Sequence, residues 1–159
     1  MTVQEFMAEQ IERMGAGLAS FIETTAPERV TWRPEAPGSS ETRSALEQAQ
    51  ECIAVNRYFA ALLRGEQIEV PAGGVRGTPL RTVEDARQQL TESSAELANA
   101  IRNSSDDALA RTYSHWRGPA SGYKLMIGAY RNMAYHAGQI NLIQMLGGDG
   151  EFHMPATWY

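Results

Sequence analysis

The sequence predicts an all-α protein, a four-helix bundle with long crossing connections. Three observations carry this. Four separate runs space their apolar residues by three and four, the period of a helix packed on one side. No run sustains the apolar–polar alternation of a half-buried strand. And 159 residues suit one domain spanning 1–159, long enough to bury roughly two thirds of its unfolded surface.

The first helix opens at Thr2, an N-cap with Glu5 at capping-box spacing, and runs to Glu23 with Phe6, Ile11, Met14, Leu18, Phe21 and Ile22 as its apolar stripe. From Thr24 to Ser40 the chain is an extended connection, because Pro27, Pro34, Pro37 and Gly38 keep helix out of its second half. Trp32 within it reads as a hydrophobic plug over the end of the bundle.

The second helix starts at Ser40 or Thr42 and continues to Arg64, with Leu46, Ala49, Ile53, Asn56 and Ala60 on one face. Its second half is apolar nearly all round, so Glu51, with Val55, Tyr58 and Leu62 at helical spacing, points at apolar neighbours. Either a metal, a protonated histidine or an arginine holds this carboxylate charged, or it sits at the core edge and reaches water. Cys52 beside it is a small core residue rather than a nucleophile.

Gly65 to Arg81 is a loop rich in Gly and Pro, with a short extended stretch at Gln67 to Val70. A third helix follows from Thr82, its first turn acidic at Glu84 and Asp85, its inward side Val83, Ala86, Leu90, Ser94, Leu97 and Ile101. Asn103 to Ser105 closes it, Asp106 to Thr112 makes one turn, and YSHWRGPASGY crosses to the last helix. His115 reads as an exposed loop histidine, since no second ligand sits at metal spacing beside it.

The last helix, Gly122 to Leu146, is the element around which the rest is organised. Leu125, Met126, Tyr130, Met133, Ala137, Ile140, Ile143 and Gln144 form one broad stripe. Asn132, His136 and Gln139 align on the adjoining face, able to bind a metal or a ligand. His136 is either that, or a core histidine whose ring nitrogens each find a partner. The tail GGDGEFHMPATWY carries Phe152, Met154, Trp158 and Tyr159, too apolar to stay unpacked, and must lie on its own bundle or on a neighbouring subunit.

Composition narrows the function classes. Fourteen basic residues against 19 acidic give a net charge of −5, which argues against nucleic acid and anionic membrane surfaces as partners. No apolar run reaches the roughly 20 residues needed to span a bilayer. A single cysteine and no basic-plus-apolar leader point to a reducing cytoplasm. There is no internal repeat, phosphate-binding glycine motif, CxxC pair or nucleophile elbow.

The run MAYHAGQINLIQML resembles the final helix of the DinB/YfiT-like family of four-helix proteins, and TWRPEAPGSSETRSALEQAQECIAVNRYFAALL resembles its Trp-Arg-Pro loop and second helix. In that family three histidines hold a divalent metal, one on the second helix and two as an HxxxH pair on the last. The resemblance places these at Glu51, Asn132 and His136, of which one is still a histidine. Glu and His are good ligands for zinc, nickel, manganese or iron, whereas a neutral Asn is a poor third.

Two functional readings follow. In the favoured one the metal site is degenerate, no cofactor is held, and the protein is a dimeric stress-associated or small-ligand-binding bundle in which Glu51 and His136 form a buried pair. In the alternative, the resemblance implies a metal-dependent enzyme, a thiol-dependent S-transferase or a hydrolase, with His136 and Glu51 on the metal. The expected partners are a second copy of the chain and a small-molecule or thiol ligand.

Overall fold

The structure is a computed structural model that describes residues 1–35, 38, 41–153 and 155–158. Four long helices form the bundle: α1 (Val3–Thr24), α2 (Ala45–Leu63), α3 (Val83–Arg102) and α5 (Gly122–Leu146), with a one-turn α4 (Asp106–Ala110) before the last. Each starts at a hydroxyl cap. Thr2 and Glu5 form the expected capping box, Thr2 Oγ1 accepting from Glu5 N at 3.1 Å and Glu5 Oε2 from Thr2 N at 2.6 Å. Thr82 and Ser121 cap α3 and α5.

The start of α2 differs from the expectation. Thr42 lies outside the helix, and the cap is Ser44, which forms a second capping box with Glu47. Two reciprocal bonds outweigh the earlier hydroxyl, because each satisfies a first-turn N–H that would otherwise have no partner. Ser40 and Pro37 lie outside the described residues. Gln67 to Val70 lies in the α2–α3 loop as expected, and among the described residues a strand pair forms between β1 (Thr112–Tyr113) and β2 (Ala120–Ser121), antiparallel, with Tyr113 opposite Ala120.

Side-chain bonds fix the helix directions. Arg102 reaches Glu12 at 2.6 Å and Gln4 Nε2 donates to Asp106 Oδ1 at 2.8 Å, so α1 and α3 are antiparallel neighbours. Arg57 meets Gln89 at 3.1 Å and Arg64 meets Glu96 at 2.8 Å, so α2 and α3 run parallel. Gln144 Nε2 donates to Phe21 O at 3.0 Å, setting α5 parallel to α1, while α2 and α5 are antiparallel, Gln48 near one end meeting His136 and Phe59 near the other meeting Gly128. Going round the bundle the order is α1, α3, α2, α5. A parallel α2–α3 pair forces the connection between them to return about 30 Å, the length of a 20-residue helix. It does so along α2, where Gln50 Nε2 donates to Gly77 O at 2.8 Å. Gly77 must be small here, since a Cβ would sit 2.8 Å from Gln50 O. The α1–α2 and α3–α5 connections cross diagonals.

The core follows the predicted stripes. Ile11, Met14, Leu18, Phe21 and Ile22 are buried on α1, but Phe6 is 47% exposed and Met7 is buried in its stead. All of the predicted inward residues of α2 are buried. So are those of α3 and α5, apart from Val83 and Tyr130, which are half-buried. Trp32 packs on the core under the Arg29 guanidinium, 4.5 Å from its ring. The tail lies on its own bundle: Trp158 Nε1 donates to Arg13 O at 3.0 Å and its ring meets Phe21 edge-on at 6.0 Å. Phe152 also approaches Phe21 yet is 62% exposed. Met154 and Tyr159 lie outside the described residues.

Candidate functional site

Along the α2–α5 seam, polar groups interrupt the core at one-turn intervals. Gln48, Glu51 and Cys52 come from α2; Asn132, His136 and Gln139 come from α5. Of the three residues named from the sequence, two converge: His136 Nε2 lies 3.4 Å from Glu51 Oε1. The third, Asn132, is half-buried beside them but its amide points at Cys52, Nδ2 lying 3.5 Å from Sγ.

His136 is 3% exposed and is held through its other nitrogen. Nδ1 meets Gln48 Oε1, and Gln139 Oε1 at 2.9 Å. Amide oxygens only accept, so this arrangement puts the ring proton on Nδ1 and the lone pair on Nε2. Burial pushes the imidazole down to about 4; the Gln139 bond opposes this, and the Arg43 cation adds to it. The ring is therefore neutral at pH 7. His136 is thus a core histidine hydrogen-bonded through Nδ1, with an unprotonated Nε2 aimed at a carboxylate.

Glu51 is at the edge of the core, its side chain 25% exposed, and of the partners the sequence allowed it has an arginine, one the sequence did not single out. Arg43, one residue before the α2 cap, forms an ion pair with Glu51 Oε2. Gln48 was also missed. It shares a face with Glu51 and Cys52, a turn earlier, so helical spacing could have found it. Arg43 lies outside any helix, and no periodicity could. Cys52 is fully buried, which pushes its thiol well above the ordinary range.

These groups do not suit a divalent cation as they stand. Nε2 and Oε1 supply two converging donors, but a guanidinium already neutralises Glu51, and Asn132 turns its N–H groups to sulfur rather than its oxygen to the pair. Among the described residues no group of three His, Cys, Asp or Glu side chains could hold a metal ion. What the arrangement leaves is an unprotonated Nε2 buried against a carboxylate oxygen, with Glu51 itself reaching the surface of a cleft.

Glu51 and Asn132 line an open cleft of about 1760 Å³ between α2 and α5, rimmed by Thr31, Arg33 and residues 41–44 of one connection and by residues 73–80 and 115–120 of two others. Trp116 forms part of one wall, stacked on Phe59 at 5.7 Å and 19°. His115 is half-buried beside it rather than exposed, and its Nδ1 accepts from Arg117 N at 3.2 Å. Burial and the Arg117 charge both lower its pKa.

No curated protein matches the chain. A crystal structure of a conserved protein from Enterococcus faecalis superposes with a TM-score of 0.62 over 93% of this chain and 99% of that one, at 13% identity, which is a likeness of fold. Among the described residues no helix is long and apolar enough to cross a membrane. The sequence itself matches the DinB superfamily over residues 10–140, and with that span matched the chain belongs to the DinB superfamily.

Proposed function

We propose that this DinB-superfamily chain is a metal-independent small-ligand-binding bundle, and that it works as a homodimer. The observation that carries the first part is the Arg43–Glu51 ion pair. A permanent cation fixed on the carboxylate does the electrostatic task that a divalent ion would do at that position, and a second cation there would meet repulsion. The ligand then docks in the cleft between α2 and α5 that Glu51 and Asn132 line. Dimerisation is supported by the last turns of α5, where Leu142, Met145 and Leu146 are each more than half exposed. A cluster of exposed apolar side chains is normally covered.

Elemental analysis of tag-free protein tests the metal-free reading, with sedimentation velocity on the same sample testing assembly. The expected results are less than a tenth of an equivalent of any transition metal, and a dimer that Leu142→Asp dissociates. One equivalent of metal retained per chain would overturn the first part, and a monomeric wild type the second.

The second reading is a metal-dependent enzyme, a thiol-dependent S-transferase or hydrolase. One observation favours it: a lone pair and a carboxylate oxygen facing each other at 3.4 Å attract a cation or a proton between them. Arg43 would have to leave Glu51 and Asn132 would have to leave Cys52 for that set to close.

A further inference from the structure

The cleft between α2 and α5 differs in charge from the rest of the molecule. The chain carries net −5, yet this cleft is lined by six cations against three carboxylates. Two of the six are neutralised in place, Arg33 by Glu47 and Arg43 by Glu51. The others are Arg76, Arg117, Lys124 and Arg131, and among the described residues none of these forms an ion pair. Outside the cleft, Arg57, Arg64, Arg87 and Arg102 are matched to glutamates on the bundle surface, while Arg13, Arg29, Arg81 and Arg111 form no ion pair among the described residues, so what sets the cleft apart is the gathering of four such cations in one concavity.

A solvated helix face is the ordinary source of exposed arginines, and it does not account for these. They come from three separate segments, the α2–α3 connection, the β1–β2 turn and α5, which the fold brings to one concavity. Lys124 lies in the first turn of α5, where the helix dipole is already positive; α1, α2 and α3 carry acids at that place. A surface that accumulates unpaired positive charge against the dipole gains most when an anion occupies it.

The same cleft offers a flat apolar wall. The Trp116 ring stacks on Phe59, and Gly74 lets the connection lie close to the indole, the position of a Cβ there being 3.4 Å from Nε1. Tyr123 and Tyr135 complete the apolar lining from α5.

We infer that the cleft takes an organic anion, a small molecule with a carboxylate, sulfonate or phosphate group carried on a flat apolar body. Arg117 and Arg131 hold the acid group and Trp116 the body. This rests on the ligand-binding reading above and names the ligand class for the same site.

Fluorescence titration of the full chain with anilinonaphthalene sulfonate and with its uncharged counterpart phenylnaphthylamine tests it. The sulfonate is expected to saturate with one site per chain and quench tryptophan emission. It should bind about tenfold or more tighter than the uncharged probe, the usual value of a hydrogen bond to a charged group. Added salt and the double substitution Arg117→Glu/Arg131→Glu should each weaken it, the latter by about tenfold or more, while Leu142→Asp on the outer face of α5 leaves it unchanged. Both arginines are exposed, so unchanged circular dichroism and thermal midpoint will show that the variant is folded. Equal affinity for the two probes, no response to the charge reversal, or loss of binding in Leu142→Asp would each overturn the inference. Metal analysis of the same sample keeps the two proposals apart: a metal-loaded protein that still selects the sulfonate loses the metal-free reading and retains this one.

Discussion

Between α1 and α3 the buried side chains are Ala8, Ile11, Leu18, Leu90, Leu97 and Ile101, with Gly15 set against Ser94 so closely that a Cβ would overlap its hydroxyl. Between α2 and α5 the corresponding depth holds Gln48, Cys52 and His136, with Glu51 and Asn132 at the edge. The first seam is closed by size and apolarity, and the ion pair of Glu12 with Arg102 lies on its rim. The second is held by directed bonds and opens onto a cleft. The contrast teaches that stability is concentrated in one seam and chemistry in the other, so changes in each should have different readouts.

The largest effect is expected in the closed seam. Leu97→Ala leaves a cavity at a fully buried site and should cost about 3 to 4 kcal/mol in denaturant unfolding. Sulfonate binding in the cleft should not change. A loss of binding at constant fold would mean that the seams are coupled.

Second comes the pH response of the open seam. His136 titrates near 6.5 when unfolded and at about 4 when folded, so between those values the unfolded chain binds the extra proton. Stability from this group is complete above pH 6.5 and falls as pH drops towards 4, by roughly 2 to 3 kcal/mol. His136→Gln should flatten that part of the profile, and an unchanged slope would show that the ring is not held neutral.

Much of this division was legible in the sequence. The closed seam follows from helical spacing alone, and Thr2 and Thr82 mark their caps correctly. Phe6 was placed inward because it is large and apolar; it lies outside because Met7 and Ile11, one turn apart, already fill that face. In the open seam Glu51 and His136 were found because they lie on helices. Arg43 was not, because a loop residue has no period to betray which way it points, and without it the charge state of the site was undecidable. The cationic cleft was invisible for a related reason: its charges are spread over three segments from Arg76 to Arg131, and only their packing together in the fold gathers them.

Two smaller effects sharpen the comparison. Glu51→Gln should change stability by less than about 1 kcal/mol, as expected for a partly exposed pair. It frees the Arg43 guanidinium, so sulfonate affinity in titration should rise by a few-fold. Glu12→Gln, at the rim of the closed seam, should alter stability by no more than about 0.5 kcal/mol and binding not at all. A fall in sulfonate affinity in Glu51→Gln would mean that the Arg43 charge does not reach the cleft.

Calorimetric titration of Zn²⁺ and Ni²⁺ into the wild type, Asn132→His and Arg43→Gln/Asn132→His tests the central claim most directly. Positions 132 and 136 are one turn apart, so a histidine at 132 adds a second imidazole beside Glu51. The account predicts no saturable binding in the wild type and a gain in Asn132→His. The affinity should rise further, by several kcal/mol over the wild type, when Arg43 no longer occupies the carboxylate, a fraction of the ~10 to 16 kcal/mol of a full structural zinc site. Tight stoichiometric binding already in the wild type, or equal affinity in all three proteins, would contradict it.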